Sequence, residues 1–220
     1  MKVPVVRNIL SANDRLAGEN RQKLLGRRVC SVNIMASPGA GKTSLILRTA
    51  EELKGKLRLG VIEGDIASRV DADKVAAAGM PVVQINTGGT CHLDAPMVGA
   101  ALEQLPLEEI DLLFIENVGN LICPVDFDLG TKASIVVSSI PEGDDKPYKY
   151  PGIFAAVDAV VLNKLDLAPY VPFDRAAFRG LVAGLNAKAP IFELSCSTGE
   201  GLAAWAEWLV ALVARSREDA

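Results

Sequence analysis

The stretch Ala36-Ser-Pro-Gly-Ala-Gly-Lys-Thr43 follows an apolar run, residues 29–35, and precedes a segment with helical periodicity. Glycines in a turn between a buried strand and a helix let several backbone N–H groups point inward, and the helix N-terminus adds positive potential. The stretch therefore predicts a phosphate-binding loop and, with it, an α/β fold. The alternative is a glycine-rich turn that binds no ligand.

The last residues of this loop have predicted tasks. Lys42 would reach the β- and γ-phosphates of a nucleotide, and Thr43 would offer its hydroxyl to Mg²⁺. Ala36 stands where such loops usually begin with glycine, and a small residue is tolerated there. The residues predicted to bind the phosphates are Gly39, Ala40, Gly41, Lys42, Thr43 and Ser44.

Beyond the loop, apolar runs alternate with helical stretches. Most runs are continuous, which is typical of strands in a parallel sheet that helices cover on both faces. The predicted fold is a single P-loop NTPase domain of the α/β class with a mostly parallel seven-stranded sheet. The predicted strands are 29–35, 57–62, 81–85, 111–115, 133–137, 158–162 and 191–194, and the predicted helices are 43–53, 71–78, 94–105, 173–186 and 202–214.

The length of the chain sets its predicted organisation. At 220 residues, half of them hydrophobic, it is long enough for one sizeable domain. We expect an N-terminal helical extension over residues 1–28, with a helix that ends at Gly26, a P-loop domain over 29–215 and a frayed tail over 216–220. Residues 141–151 are predicted to form a polar loop.

Composition and charge argue against several classes of protein. The net charge is −4 and no cluster of lysines and arginines stands out, so a nucleic-acid partner is not expected. No apolar run approaches the roughly 18 residues that span a bilayer, and no secretory signal is recognised, so we expect a cytoplasmic protein without a membrane partner. In a reducing cytosol the four cysteines would be buried or bind metal rather than form disulfides.

A second motif, Asn163-Lys164-Leu165-Asp166, follows the sixth predicted strand. Asp166 can accept two hydrogen bonds from guanine, whereas adenine offers no such pair of donors. Asn163 would hold the loop and Lys164 would cover the ring. The predicted ligand is therefore GTP or GDP, with Ser195 and Cys196 in a further base-contacting loop, and a small-molecule kinase is the alternative that the motif disfavours.

Carboxylates at strand ends beside the phosphate loop can hold Mg²⁺. Asp65 and Glu116 end the second and fourth strands, and Asp71 begins a helix, where it could instead be an N-cap. The N–H group of Gly119 can meet the γ-phosphate. With Thr43, these carboxylates form the predicted Mg²⁺ site.

The predicted catalytic residues are Lys42, Asp65, Glu116 and Gly119. Since no glutamine follows Gly119 and no arginine finger is evident, we expect slow GTP hydrolysis.

A third constellation combines sulfur and nitrogen ligands. Cys91 and His92, the only histidine, follow the third strand, and Cys123 follows the fourth, so both loops emerge at the phosphate-loop edge of a parallel sheet. Such ligands suit Ni²⁺ or Zn²⁺, and three of them leave a tetrahedral site open to water or a second chain. The alternative is two buried thiols and a solvent-facing imidazole without metal. Cys30 and Cys196 are predicted to be core thiols.

Several longer stretches together resemble one family, the hydrogenase nickel-incorporation GTPases (HypB). The resemblance covers residues 9–212, and the contiguous Cys-His pair followed by ENVGNLxCP is its most specific part. The stretches are GDIASRVDADKV (64–75), QINTGGTCHLDAPMV (84–98), ENVGNLICPVDFDLG (116–130), EGDDKPYKYP (142–151), NKLDL (163–167) and STGEGLAAWAEWL (197–209).

This resemblance implies a GTPase that forms a homodimer with GTP. It also implies that Cys91, His92 and Cys123 bind nickel or zinc at the subunit interface, and that the partners are a small zinc-containing maturation factor and the hydrogenase large subunit. Many members carry an N-terminal CxxC-type motif or a histidine-rich tract. This chain begins MKVPVVRN, so we do not expect nickel storage.

Two related functions remain as alternatives. The urease nickel-insertion GTPases share the scaffold but show Cys-Pro-His where this chain has Cys91-His92, and a glycine-rich segment in place of ENVGNLICP. The second alternative is a GTP-dependent interaction protein whose zinc is structural.

Overall fold

A seven-stranded sheet forms the centre of the computed structural model, which describes residues 9–219. All strands are parallel, and their order across the sheet is β3-β2-β4-β1-β5-β6-β7. The predicted α/β fold is confirmed, with a sheet that is wholly rather than mostly parallel. The strands are β1 Cys30–Ala36, β2 Leu59–Asp65, β3 Val82–Asn86, β4 Leu112–Glu116, β5 Ala133–Ser139, β6 Ala159–Asn163 and β7 Ile191–Glu193.

Helices cover both faces of this sheet. One apolar core joins α2, α3 and α8 to the first face, and two further cores join α1 with α4, and α6 with α7, to the second face. The parallel sheet is therefore buried on both sides, which explains the continuous apolar runs. The helices are α1 Ile9–Gly26, α2 Lys42–Glu52, α3 Val70–Ala77, α4 Ala95–Leu102, α5 Lys146–Lys149, α6 Pro151–Ala156, α7 Arg175–Leu185 and α8 Leu202–Glu218.

The alternation of side chains along each strand decides which face a residue serves. In β2, Val61 joins the core on the α2 side, whereas Ile62 joins the core on the α4 side. In β4, Phe114 likewise joins the core on the α2 side, and Ile115 joins the core on the α4 side. The side chains at the ends of β2 and β4 continue this alternation. It therefore decides on which face of the sheet each polar group of the site lies.

Two predictions about the chain's periphery are wrong. Residues 141–151 are not only a polar loop, because α5 begins within them and α6 starts at Pro151, where the fixed φ of proline favours the first turn of a helix. The helix α8 continues through Glu218 with Ser216 buried, so residues 216–218 are not frayed. The proposed boundaries at residues 28 and 215 stay predictions, and residues 1–8 and 220 lie outside the described part.

The helix predicted before the first strand exists as α1 and packs against α4. In the described part of the chain, no helix combines the length and apolar character needed to cross a membrane.

Candidate functional site

The phosphate loop connects β1, which ends at Ala36, to α2, which begins at Lys42. Gly39 and Gly41 have φ angles of 80° and 104°, in the left-handed region that favours glycine. A Cβ atom on Gly41 would also lie 2.5 Å from Asn163 Nδ2. Glycine is thus required at Gly41 both for its backbone conformation and for space.

The first residues of α2 meet the carboxylate that ends β4. Lys42 Nζ lies 3.7 Å from Glu116 Oε1, and Thr43 Oγ1 donates a hydrogen bond of 3.0 Å to the same oxygen. Ser44, also predicted to bind phosphate, is exposed in the first turn of α2. The predicted lysine, threonine and glutamate therefore converge.

A second buried carboxylate, Glu63, lies beside Glu116 and was missing from the predicted site. The two residues are register partners on the adjacent strands β2 and β4 and are 3% and 2% exposed. Burial, and then repulsion from Glu116, raises the pKa of Glu63 to about 10. Burial also raises the pKa of Glu116, against the attraction of Lys42. Without a bound cation, the Glu63 carboxyl is therefore neutral at pH 7, and a divalent cation bound here would displace its proton.

This pair of carboxylates fits a divalent cation. Glu63 Oε2 and Glu116 Oε2 are buried. Apart from the hydrogen bond between the two carboxyls when Glu63 is protonated, neither oxygen has a partner among residues 9–219. Buried oxygens that lack partners cost free energy unless a ligand satisfies them. With the hydroxyl of Thr43 nearby, the donor set consists of oxygen atoms, which Mg²⁺ prefers.

The other predicted magnesium ligands lie at the edge of this pair. Asp65 Oδ1 accepts hydrogen bonds from the N–H groups of Ala67 and Ser68, at 2.9 and 2.7 Å. Burial alone would raise the pKa of Asp65, but the backbone hydrogen bonds from Ser68 and Ala67 outweigh it and lower the pKa. Asp71 lies in the first turn of α3, and Lys74 donates to it at 2.7 Å. The N-cap of α3 is Arg69, so the alternative role of Asp71 as the cap is wrong.

The segment after β6 is bonded directly to the phosphate loop. Asn163 is 1% exposed; its Nδ2 donates to Ala40 O at 3.1 Å, and its Oδ1 accepts from the N–H groups of Lys164 and Cys196 at 2.7 and 3.2 Å. Lys164 has a left-handed φ of 62°, and its Nζ donates to Gly39 O at 2.7 Å. Asn163 therefore holds three loops together.

The predicted base-reading residues form one cluster. Ser195 Oγ donates to Asp166 Oδ1 and accepts from the N–H groups of Ser197 and Thr198, both at 3.2 Å. This network fixes one oxygen of the Asp166 carboxylate. Burial raises the pKa of Cys196 to about 11, so its thiol stays protonated at neutral pH.

Two further contacts brace the phosphate loop, and the sequence did not single them out. The hydroxyls of Ser37 and Ser139 both donate to the carboxylate of Glu142, which follows β5. On the other side, a Cβ atom on Gly119 would lie 3.0 to 3.2 Å from three atoms of Pro38. The segment that begins at Glu116 thus lies directly against the phosphate loop.

Cys91, His92 and Cys123 converge as predicted. One ligand atom from each lies within 4.8 Å of the other two, and all three side chains are partly exposed. The hydrogen bond with the Cys123 thiol is the main cause that raises the pKa of Cys91. The imidazole of His92 stacks on Phe127, with ring centroids 3.8 Å apart. Cys30 is fully buried, with a pKa raised to about 11 by burial, as expected for a core thiol.

Two asparagines bond the loop that carries Cys91 to the segment after β4. Asn117, fully buried, accepts from the N–H group of Leu93 at 3.1 Å, and Asn120 Nδ2 donates to Cys91 O at 3.2 Å. A Cβ atom on Gly64 in β2 would lie 2.7 Å from Leu93 Cδ1, so Leu93 packs directly on that strand. Both asparagines lie in the stretch ENVGN. Two amide side chains directly after a buried strand are the sequence signal that could have identified these residues.

Known proteins resemble this chain in sequence and structure. A family model described as CobW/HypB/UreG, nucleotide-binding domain, matches residues 30–193. The hydrogenase maturation factor HypB of Rhizobium leguminosarum bv. viciae is 46% identical over 213 residues, which cover 97% of this chain and 71% of that protein. The crystal structure of hydrogenase maturation factor HypB from Archaeoglobus fulgidus has 41% identity and a TM-score of 0.87, covering 93% of this chain and 100% of that chain. The structure of HypB from Helicobacter pylori in complex with nickel has 36% identity and a TM-score of 0.89, covering 94% of this chain and 96% of that chain.

Proposed function

The chain belongs to the CobW/HypB/UreG family and, within it, to the HypB hydrogenase maturation factors, and from this premise we propose that it is a GTP-hydrolysing metallochaperone. Its cargo would be nickel for a [NiFe]-hydrogenase, bound by Cys91, His92 and Cys123. The observation that carries the proposal is the position of this cluster: its three ligands converge on loops at the edge of the sheet that also carries the phosphate-binding loop.

GTP would bind with its phosphates in the loop Gly39–Ser44 and its base near Asp166. Ser195 Oγ donates to one oxygen of the Asp166 carboxylate. This bond would hold the carboxylate in place to accept hydrogen bonds from guanine. Ser195 and Cys196 would complete the base site through their backbone. Since adenine lacks the matching donors, GTP should bind much more tightly than ATP.

Hydrolysis would depend on the buried carboxylates at the ends of β2 and β4. Thr43, Glu63 and Glu116 would hold Mg²⁺, directly or through water, with Asp65 and Asp71 at the periphery. The ion would neutralise charge that develops on the phosphates. Lys42, now held by Glu116, would turn to the β- and γ-phosphates, and the N–H group of Gly119 would meet the γ-phosphate. Slow turnover remains our expectation for the isolated protein.

The coupling between the two sites would run through a single short segment. Gly119 lies against Pro38 of the phosphate loop, and the next residue, Asn120, bonds the backbone of Cys91. Cys123 follows three residues later. If the γ-phosphate orders this segment, the two cysteines would shift relative to each other. Hydrolysis would let the segment relax and reverse that shift.

The same geometry supports an assembly with other molecules. Three ligands leave a tetrahedral site one short, so a second copy of the chain could complete or cover it. The apolar side chains of Ile66, Val70 and Ile122 are at least half exposed. A second copy of the chain that binds when GTP is present would cover them. A small zinc-containing maturation factor and the hydrogenase large subunit are the proposed partners, and the proposed location is the cytoplasm.

A nickel titration in each nucleotide state would test this function. Ni²⁺ affinity and oligomeric state are measured for the wild type with a GTP analogue and with GDP. We expect affinities that differ by about fivefold or more, within the usual range of allosteric coupling. Cys123→Ala should lose Ni²⁺ binding, whereas Cys30→Ala, which removes a buried thiol elsewhere, should not.

The variant Asn120→Ala separates coupling from binding. It keeps all three ligands, so it should still bind Ni²⁺, but its affinity should no longer depend on the nucleotide. If wild-type affinity is the same with the GTP analogue and GDP, the proposed coupling is refuted. If Cys123→Ala binds Ni²⁺ like the wild type, the proposed site is wrong.

A further inference from the structure

The helix α1 presents a buried stripe that contains two amides. Asn13, Ala17, Asn20 and Leu24 repeat at helical spacing, and all four are buried. Asn13 and Asn20 are only 5% and 6% exposed. A buried amide is costly unless it is fully hydrogen-bonded, so the partners of these two residues show what α1 holds.

One set of partners lies just after the metal-binding loop. The N–H group of Ala95 donates to Asn13 Oδ1 at 2.8 Å, and Asn20 Nδ2 donates to Ala95 O at 2.9 Å. Ala95 is the first residue of α4 and stands three positions after His92. Both backbone groups of this residue are therefore fixed by α1.

The other set of partners lies on the second metal-bearing segment. Asn13 Nδ2 donates to Asp128 O at 2.8 Å, and Asn20 Nδ2 donates to Leu129 O at 3.2 Å. These carbonyls directly follow Phe127, on which the imidazole of His92 stacks. Each amide thus connects the segment after His92 to the segment after Phe127.

Close packing leaves this connection little freedom. A Cβ atom on Gly130 would lie 2.3 Å from Ala17 O, and one on Gly99 in α4 would lie 3.0 Å from Asn20 Oδ1. The helix α1 therefore touches the backbone of one metal-bearing segment and the helix that continues the other. Helix α1 therefore contributes to the spacing between these two segments, in addition to the sheet.

From this geometry we infer that Asn13 and Asn20 are positioning residues of the metal centre, which set the separation between the Cys91–His92 loop and the Cys123–Phe127 segment. The inference rests on the proposed function, because it concerns the same three ligands. The hydrogen bonds of Asn13 and Asn20 go to Ala95, Asp128 and Leu129 and not to Cys91, His92 or Cys123. Both act on the backbone that carries them, in the way that outer hydrogen bonds tune a metal site.

The test uses the full chain and Ni²⁺ as the probe. In Asn20→Asp the side chain keeps its size but can no longer donate to Ala95 O and Leu129 O. Asn13→Asp is milder, because it still accepts from the N–H group of Ala95. Asn186→Asp is the matched control. Asn186 Nδ2, at the end of α7, also donates to three carbonyls, those of Phe154, Ala155 and Val157, and none of these belongs to the metal-bearing segments.

We expect Asn20→Asp to weaken Ni²⁺ binding by about 10–100-fold, the usual effect of losing an outer hydrogen bond of a metal site, and Asn13→Asp to weaken it less. The thiolate-to-nickel charge-transfer absorption should shift in both variants, which a purely structural role would not cause. GTP affinity should stay unchanged in both. Asn186→Asp should keep wild-type Ni²⁺ affinity and absorption.

Two results would overturn the inference. The first is Ni²⁺ affinity and absorption like those of the wild type in both helix variants. The second is a parallel loss of Ni²⁺ and GTP binding that Asn186→Asp shares, since that would reflect general destabilisation. Failure of the proposed function is distinct, because in that case Cys123→Ala would bind Ni²⁺ like the wild type, whatever the helix variants do.

Discussion

Replacing Asn163 by alanine removes the side chain that connects β6, the phosphate loop and the base loop. The amide makes three hydrogen bonds, to Ala40 O at 3.1 Å and from the N–H groups of Lys164 and Cys196 at 2.7 and 3.2 Å. A typical internal hydrogen bond contributes about 1 kcal/mol, so the three sum to about 3 kcal/mol. Because the variant must reorder these loops on binding, we expect GTP to bind roughly 150-fold more weakly, at about 1.4 kcal/mol per tenfold.

The assay is a titration of the protein with a fluorescent GTP analogue at 25 °C, in the presence of Mg²⁺. Asn163→Asp keeps the two bonds that Asn163 accepts and loses only the one that it donates. Its expected loss is about 1–2 kcal/mol, a factor of roughly 5–30. Asn186→Ala also deletes three hydrogen bonds to backbone groups, so it controls for stability and should bind GTP normally. If Asn163→Ala binds within about fivefold of the wild type, the view that this amide preassembles the nucleotide site is wrong.

Three other changes have defined outcomes. Glu63→Gln should shift the melting temperature by less than about 3 °C, because the pKa of Glu63, about 10, already keeps it neutral at pH 7; a large drop would contradict this. Gly130→Ala should lower the free energy of unfolding in urea by about 1–3 kcal/mol or more, since its Cβ would meet Ala17 O at 2.3 Å. Hydrogen bonds from Arg58 hold the pKa of Asp111 below its ordinary value. The ionised Asp111 therefore stabilises the folded protein above about pH 4, and this contribution is lost as the pH falls through the lower pKa of the folded state. Asp111→Asn should therefore be less stable than the wild type at pH 7, and the difference should shrink toward pH 3; a constant difference would refute the assignment.

The sequence predicted the strands well because most of them are continuous apolar runs that two layers of helices bury. It also placed Glu116 at the end of a strand and Asp166 in the loop after one, where a parallel sheet brings loops to one edge. It did not predict the partner of Glu116, because Glu63 becomes its neighbour only through the order of β2 and β4 across the sheet. Lateral order depends on long-range pairing that no local pattern encodes.

The asparagines of α1 escaped prediction for a related reason. Asn13 and Asn20 look like ordinary polar residues of an exposed helix until the chain segments after His92 and Phe127 are brought beside them. The two short helices after residue 145 were missed because the polar composition of the segment outweighed its prolines. Those prolines stand at the first or second position of each helix, where they favour its start.

The pleat of β2 and β4 has a consequence for how the protein would tell two ions apart. Glu63 and Glu116 point to the α2 side, whereas the next residues, Gly64 and Asn117, face the other side and receive Leu93, the neighbour of His92. The buried carboxylates therefore lie on the α2 side of these strand ends, whereas the loop that carries Cys91 and His92 is attached on the opposite side. An ion that prefers carboxylates and one that prefers thiolates would each meet only its own kind of ligand. In the proposed function, this offset of one residue between the two donor sets would keep each ion out of the position of the other.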